Sequence, residues 1–530
     1  MHEQELIQDL LVHQSERRSQ QLAVVGEHAE LSYAELEVAS NRLARLLLRL
    51  GVQRGDRVAL CVGRSPAMLV AIYGALKAGC IYVPIDPSFP DERVARIVAH
   101  AEPGVLVADH EGVSKIATLP QIQHAVLLDE SRTCAKEPRW VSWSDVLREP
   151  SHGDGLPRRS EQDVAYLLYT SGSSGLPKGV PISHRNALAF VDWAQREFAV
   201  THEDRVANHA SYTFDLSVFD FFAAAKAGAT VFPVPGAFLR FPFAVAEWLE
   251  RREISVLYAV PSALSLLVRR GAIATRRLER LRLVLFAGEV FPAKPLSELM
   301  RAVPRARFYN LYGPTETNVI TSHEVTSANW DGVRPVPLGK ACCGAVLTAL
   351  RENGEAVSNA DQEGELIASG PTVTSGYWHG SAEMQQRFST RPDGVHTYRT
   401  GDWVRVDREG TLHFIGRRDD MVKTRGFRVE LGDVEGALLE HGAVEDAAVV
   451  TTPHESLGAQ LNAFVTLRED ADASRGAPLE LRNHCVRLLP QYMVPATINV
   501  VPLLPRNSNG KVDRRALLHL LQQDSLDATA

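Results

Sequence analysis

An alternation of short apolar strands with helix-length segments constrains this chain more than any other feature. Arg57-Val58-Ala59-Leu60-Cys61-Val62 is an apolar run of strand length. Ser65 then stands as a helix N-cap, with Pro66 at the first helical position, where its fixed φ is already helical. Leu69, Ile72 and Leu76 recur at helical spacing, and Gly79 is placed as a stop. Ile81-Tyr82-Val83-Pro84-Ile85 is strand again. Strand, helix and strand in this order predict parallel pairing, and so a mostly parallel sheet covered by helices. The pattern returns downstream. Residues 164–169 read as a strand that runs into a Gly/Ser loop, and 184–198 as a helix behind Ser183. Residues 254–258 and 281–286 read as short strands. In open α/β sheets ligands bind beyond the carboxyl ends of such strands, which is where the unusual loops of this chain fall.

From about residue 340 the texture changes to shorter, glycine-punctuated strands, such as Gly364-Glu365-Leu366-Ile367-Ala368 and Gly410-Thr411-Leu412-His413-Phe414-Ile415-Gly416. These predict an antiparallel part. After Arg417-Arg418-Asp419-Asp420 comes one small domain of mixed α and β, with an exposed loop expected over 469–478. The length of 530 residues fits one large body plus a smaller one. Fifty-seven Lys and Arg against 64 Asp and Glu give a net charge of −7, which argues against a general nucleic-acid or anionic-membrane binder but leaves room for a local basic pocket. There is no long apolar run for a transmembrane helix. The acidic start lacks a signal-peptide core, so a cytoplasmic location is expected. Six cysteines make no disulfide framework, and the absence of CxxC and HExxH argues against zinc chemistry.

Four segments carry chemistry. In Tyr169-Thr170-Ser171-Gly172-Ser173-Ser174-Gly175-Leu176-Pro177-Lys178-Gly179 the glycines let backbone N–H groups approach a phosphate, the hydroxyls add donors and the lysine adds charge. It is not a Walker A loop, because Gly179 takes the Ser/Thr position. Taken alone, it also reads as a flexible linker. Asn310-Leu311-Tyr312-Gly313-Pro314-Thr315-Glu316-Thr317 presents an aromatic face, a hydroxyl and a carboxylate around a turn. The aromatic can stack on a base and the carboxylate can hold Mg²⁺; taken alone, this loop reads first as a plain turn with a solvated glutamate. In Tyr398-Arg399-Thr400-Gly401-Asp402-Trp403 the aspartate can bind ribose hydroxyls or simply close a turn. Asn509-Gly510-Lys511-Val512-Asp513-Arg514, standing alone, is a hairpin turn.

Their joint order resembles the adenylation domains of nonribosomal peptide synthetases, within the adenylate-forming superfamily of acyl-CoA synthetases and luciferases. The resemblance runs from Leu31-Ser32-Tyr33-Ala34-Glu35-Leu36 to Arg514. It includes Leu76-Lys77-Ala78-Gly79-Cys80-Ile81-Tyr82-Val83-Pro84-Ile85-Asp86, Phe214-Asp215-Leu216-Ser217 and Leu489-Pro490-Gln491-Tyr492-Met493-Val494-Pro495. Departures are small: Ser174 stands for threonine, Trp403 for leucine, Met421 for glutamine and Thr424 for isoleucine. The resemblance implies an α/β fold with a large N-terminal domain of mostly parallel sheets covered by helices plus a distorted antiparallel part, over residues 1–417. It implies a small mobile α+β C-terminal domain over 418–530.

It also implies two reactions. A carboxylate attacks the α-phosphorus of ATP and releases pyrophosphate; a thiol then attacks the acyl-adenylate and releases AMP. By resemblance Thr170, Ser171, Gly172, Ser173, Ser174 and Lys178 hold the β- and γ-phosphates, and Asn310 and Tyr312 contact adenine. Thr315 binds the α-phosphate, Glu316 helps hold Mg²⁺, Asp402 takes the ribose hydroxyls and Arg417 supports ribose and phosphate. Lys511 stands between the reacting carboxylate and phosphate, where one ammonium offsets a repulsion of about 4 kcal/mol at 4 Å if the effective dielectric is about 20. Asp419 is the implied hinge of a two-state domain motion, with Lys423, Arg425 and Gly426 near the site of the thiol step.

In amino-acid-activating members the aspartate after the gate-like phenylalanine, here Asp215, pairs with the substrate ammonium; its local reading is a helix N-cap ahead of Leu216. The other implied pocket positions are Leu216, Phe219, Tyr258, Leu285, Ala287, Leu311, Val319 and Ile320. An apolar pocket discriminates one methylene by only about 1–3 kcal/mol, so physics alone gives a small apolar amino acid: proline, valine, alanine or similar. The set is similar to that of free-standing prolyl-adenylating enzymes, which load L-proline onto a separate phosphopantetheinylated carrier protein, often for later oxidation to a pyrrole in secondary metabolism. Only 16 residues follow Arg514 and almost nothing precedes Leu31, so the thiol acceptor is expected in trans. The need for a small activator protein stays open. The competing readings are a D-alanine–carrier ligase, an acyl-CoA synthetase, a luciferase-like oxygenase and a non-catalytic interaction protein on the same scaffold; intact Lys178, Glu316, Asp402 and Lys511 argue against the last.

Overall fold

The computed structural model describes residues 5–116, 119–128, 140–157, 159–171, 177–357, 360–417, 421–454, 458–468, 476–506 and 512–527. The chain divides into two compact units. One comprises Met1–Pro87, Val98–Tyr169 and Gly179–Arg418; the other comprises Ser88–Ile97, Thr170–Lys178 and Asp419–Ala530.

In the larger unit, the described residues form two big sheets. One has nine strands in the order Lys340–Ala341, Thr321–Val325, Arg307–Tyr312, Leu283–Ala287, Val256–Ala259, Arg205–Asn208, Thr230–Pro233, Leu22–Val25 and Glu30–Ser32. Its six central strands, from Arg307–Tyr312 to Leu22–Val25, pair in parallel, and antiparallel partners close each edge. Side chains alternate across a strand, and here both faces are buried. Val256, Tyr258, Leu283, Leu285, Tyr309 and Leu311 join one apolar cluster. Leu257, Ala259, Val284, Phe286 and Phe308 join another. That double burial explains why these strands read as unbroken apolar runs rather than as an alternation.

The seven-stranded sheet holds the opening βαβ unit, with Arg57–Cys61 paired in parallel to Ile81–Pro84. The crossover helix is Pro66–Lys77, with Ser65 in the N-cap position but making no side-chain cap bond, and Gly79 follows its end at φ 74°. The sequence suggests one apolar stripe on this helix, but the structure buries it on every side. Close packing is the reason: a Cβ on Gly74 would stand 2.6 Å from Leu43 of the neighbouring helix Tyr33–Arg49. The predicted helix at 184–198 is Glu197-terminated, and Ser183 caps it reciprocally with Asn186. The predicted strands at 254–258 and 281–286 begin and end one or two residues later, as Val256–Ala259 and Leu283–Ala287.

The expected antiparallel part is present. Val346–Leu350, Glu363–Ser369, His396–Val406, Phe388–Thr390 and Leu412–Arg417 form a five-stranded sheet. The fold is therefore α/β with an antiparallel portion, as the resemblance implied.

The smaller unit is α+β. Its long hairpin Val444–His454 with Gly458–Leu467 takes Thr497–Val500 as a third strand, and helices Leu431–Leu439 and Ala477–Leu488 pack beside it. The loop expected over 469–478 is shorter at its C-terminal end. Ala477 and Pro478 already belong to a helix, since proline is favoured in a first turn; residues 469–475 lie outside the described residues. No helix among the described residues is long and apolar enough to cross a membrane.

Candidate active site

The carboxyl ends of the parallel strands in the nine-stranded sheet converge on the predicted amino-acid pocket. Tyr258 pairs in register with Leu285, and Ala287 with Leu311. Leu216, Phe219, Tyr258, Leu285, Ala287, Leu311 and Val319 are buried members of one apolar cluster. The Phe219 and Tyr258 rings meet edge-on, with centroids 5.8 Å apart. Ile320 faces the other way and packs with Tyr312 and Leu338.

Asp215 lies in a turn after Phe214, and its carbonyl accepts from the Val218 N–H. Burial raises the Tyr258 phenol well above its usual pKa, and the Asp215 charge adds to this. The helix read from the sequence after Asp215 begins at Ser217 and passes at once out of α geometry. Phe219–Ala223 is a π-helical turn, a device common at functional sites that no side-chain pattern announces.

Three of the residues expected to meet the nucleotide, Tyr312, Asp402 and Arg417, form a polar cluster. Asp402 and Arg417 face each other in the strand pair His396–Val406 with Leu412–Arg417, and Arg417 Nη1 donates to Asp402 Oδ1 at 2.6 Å. The Tyr312 hydroxyl donates to the other carboxylate oxygen at 2.5 Å. Burial and the adjoining Asp402 carboxylate hold the Tyr312 phenol protonated. Asn310 Nδ2 donates to the Pro337 carbonyl at 2.7 Å. In the Gly-Pro loop, the backbone at Gly313 approaches Asn318 so closely that a Cβ would lie 1.5 Å from its carbonyl oxygen. Only glycine permits that turn. The turn buries Thr315, and it buries Glu316 completely.

A buried carboxylate needs a partner. Tyr377 supplies one, its hydroxyl donating to Glu316 Oε1 at 2.5 Å and lying 3.3 Å from the Tyr398 hydroxyl. Sequence reasoning missed Tyr377. Its only signal was the Gly376-Tyr377-Trp378 string, and nothing in that string points to residue 316.

In the smaller unit, Ser171 donates to the Arg428 carbonyl at 2.8 Å and accepts from the Glu430 N–H at 3.2 Å. Lys178 Nζ stands 3.3 Å from Glu430. The Thr170 hydroxyl is buried without a hydrogen-bond partner among the described residues. A buried unpaired donor is costly, and it suits a site that a phosphate oxygen would complete. Arg425 and Gly426, at φ 52° and 81°, form the two-residue turn between Met421–Thr424 and Phe427–Glu430. Two left-handed residues are what a tight hairpin of this kind requires, and Lys423 pairs in register with Arg428. Gly172, Ser173, Ser174, Asp419 and Lys511 lie outside the described residues.

The donor set fits a Mg²⁺–nucleotide. Among the described residues no group of three or more His, Cys, Asp or Glu could form a protein cage for a metal. A Mg²⁺ ion in a nucleotide site needs only one or two carboxylates besides the phosphates, and Glu316 can be one.

Behind the pocket wall lies a second unforeseen group. Asn208 Nδ2 donates to Asp220 Oδ2 at 2.9 Å, and Asp220 is fully buried. Burial raises the Asp220 carboxyl to about 8, against the pull of the Asn208 hydrogen bond and Arg64. His209, beside Arg64, is driven down to about 4 by burial and stays neutral.

Comparison with known proteins places this architecture. Residues 11–378 match the family model of the AMP-binding enzyme, and residues 433–511 that of the AMP-binding enzyme C-terminal domain. An L-proline–[L-prolyl-carrier protein] ligase of Pseudomonas fluorescens is 38% identical over 97% of this chain and 98% of its own length. Another of that name from Streptomyces coelicolor is 41% identical over 92% and 91%. The solved adenylation domain AlmE of Vibrio cholerae, in complex with glycyl-adenosine-5′-phosphate, superposes with a TM-score of 0.84 at 24% identity, covering 99% of both chains. It shares the fold.

Proposed function

The chain belongs to the AMP-binding enzyme family, and from that premise we propose that it activates L-proline with ATP as prolyl-AMP, releases pyrophosphate, and transfers the prolyl group to the phosphopantetheine thiol of a separate carrier protein. The observation that carries this reading is the near end-to-end match, at 38% and 41% identity, to two ligases named for that reaction. The apolar wall of Phe219, Tyr258, Leu285, Leu311 and Val319 suits a ring without polar substituents.

In this reading Asp215 receives the substrate ammonium, and the apolar wall fixes the side chain. Asp402 accepts from the ribose hydroxyls, oriented for it by Tyr312 and Arg417. Asn310 and Tyr312 line the adenine, and Thr315 donates to the α-phosphate. Thr170, Ser171, Gly172, Ser173, Ser174 and Lys178 receive the outer phosphates. Mg²⁺, held on the Glu316 side, would neutralise phosphate charge. Lys511 brings the carboxylate and the α-phosphate together, because positioning and neutralisation are most of what phosphoryl chemistry needs. Residues 1–417 and 418–530 act as the two domains, with Asp419 as the hinge and Lys423, Arg425 and Gly426 serving the thiol step.

The test is amino-acid-dependent ATP–pyrophosphate exchange over the proteinogenic amino acids plus D-alanine, followed by loading of a phosphopantetheinylated carrier protein. Strongest exchange with L-proline and a prolyl thioester on the carrier are expected. Strongest exchange with another amino acid would discard proline and keep adenylation. No exchange with any amino, fatty or aryl acid would overturn the reading.

A further inference from the structure

Two adjacent cysteines stand against the pocket wall, and neither adenylation nor thioester transfer uses them. The Cys343 thiol donates to the Cys342 sulfur at 3.5 Å. Both are free thiols. The pair opens a tight turn in which the Cys342 carbonyl accepts from the Ala345 N–H at 2.9 Å. Its two central residues, Cys343 and Gly344, have φ of 56° and 75°. Glycine or asparagine suits such positions; a cysteine held there is strained.

The turn is tied to the backbone beside the pocket, at the residue after Val319 of the wall. The Cys342 N–H donates to the Ile320 carbonyl at 2.9 Å. Cys343 is buried in the same apolar cluster as Phe219, Tyr258, Leu311 and Val319, and Cys342 packs against it from a partly exposed position. A pocket wall could be filled by any small apolar residue. Two thiols in contact, on a strained turn, add a chemistry that packing does not need.

We propose that Cys342 and Cys343 are a reversible oxidation site, closing to a disulfide between neighbouring residues under a peroxide and thereby weakening amino-acid binding. Hydrogen peroxide is the oxidant. The more accessible Cys342 gives up its proton and its sulfur attacks one peroxide oxygen; the O–O bond breaks, Cys342 becomes a sulfenic acid, and the departing hydroxide takes up that proton and leaves as one water. The Cys343 sulfur then attacks the Cys342 sulfur, the S–O bond breaks, and the Cys343 proton leaves with the hydroxide as a second water. Two thiols lose two electrons and two protons in total, and the peroxide is reduced to two waters. A dithiol reductant reverses the step by exchange.

Closure requires the sulfurs to approach from 3.5 Å to about 2.05 Å. The backbone of the turn must move with them, and the Cys342 N–H carries that movement to the Ile320 carbonyl. Burial pushes the Cys343 thiol up, in keeping with Cys342 reacting first and Cys343 resolving.

The kinetic consequence rests on the proposed amino-acid activation. The experiment treats the full chain with hydrogen peroxide, maps the peptide containing residues 342 and 343 by mass spectrometry, and measures exchange kinetics before and after dithiothreitol. The expected result is an internal disulfide in that peptide and a tenfold or greater rise in KM for the amino acid. KM for ATP should change far less, and dithiothreitol should restore both values. Cys342→Ala and Cys343→Ala, each compared with itself before and after peroxide, should lose the response. Failure to form the disulfide, a disulfide with unchanged amino-acid KM, or an equal response in Cys342→Ala would each overturn the proposal. An untreated enzyme inactive toward every amino acid would instead overturn the proposed function, and the mapped disulfide alone would then decide the thiol chemistry.

Discussion

Along the strands that end at Ala259, Ala287 and Tyr312, the chain presents Tyr258, Leu285 and Leu311 to a wall held by shape. Along the antiparallel strand His396–Val406 it presents Tyr398 and Asp402 to a set of buried polar partners: Tyr312, Arg417, and Tyr377 with Glu316. The first region spreads its energy over many small contacts, so one change is felt mainly as altered fit. The second places a charge, its counter-charge and a phenol in contact inside the protein. Losing one member there strands the others, which costs far more than the interaction contributes.

The largest effect should come from breaking the polar side. Asp402→Ala leaves Arg417 buried without its carboxylate. Such a loss destabilises by about 3–5 kcal/mol, and pyrophosphate exchange should fall by on the order of a hundredfold or more. Thermal unfolding and exchange read together check this; a stable, active variant would show that the two regions do not differ as argued.

Next comes Asp215→Ala, the one charge placed on the apolar side. Exchange should fall about a hundredfold, chiefly through KM for the amino acid, because a buried ammonium would lose its partner. Unchanged amino-acid KM would remove Asp215 from the pocket.

Tyr377→Phe removes the hydrogen bond to Glu316 together with the hydroxyl contact to Tyr398. A hydrogen bond to a charged group contributes about 1.5–3 kcal/mol, so kcat/KM should drop roughly tenfold to hundredfold with the fold retained. An equal drop in Tyr258→Phe would blur the contrast, since Tyr258 is expected to act by volume.

Smallest in activity is Asp220→Asn, which sharpens the comparison by asking whether a buried carboxyl can belong to the shape-held side. Burial raises Asp220 from 3.8 to about 8. The folded state then keeps a proton that the unfolded chain gives up. Its stabilising contribution is complete below about pH 4, falls as pH rises, and is lost by the time pH passes about 8. Relative to Asp220→Asn, the parent protein should lose thermal stability steadily from pH 5 to pH 8. Parallel melting curves across that range would count against a neutral Asp220.

Much of this was legible in the sequence. Apolar runs with capped helices between them announce parallel strands, and the Ser65, Pro66 and Gly79 signals fall where the helix Pro66–Lys77 begins and ends. Asp402, Arg417 and Tyr312 were named from separate motifs, and the fold brings them into contact. What stayed hidden depends on long-range geometry. The Tyr377–Glu316 contact joins residues 61 positions apart. The π turn at Phe219–Ala223 is announced by no residue pattern in that segment. Asp220 drew no reading from the sequence, because the burial that raises it exists only in the folded chain.

The strand Arg307–Tyr312 has a consequence for anyone who would re-engineer specificity. Leu311 belongs to the pocket-wall cluster, while Tyr312, the next residue, belongs to the cluster beside Asp402. Neighbours on a strand face opposite ways, so a single inserted or deleted residue would exchange the two roles at once. Grafts from other family members must therefore preserve the parity of this strand, and their junctions belong outside it. Under the proposed function, a library that varies Leu311 while leaving the frame of Asn310 and Tyr312 intact should retune the amino-acid side without touching the Asp402 side.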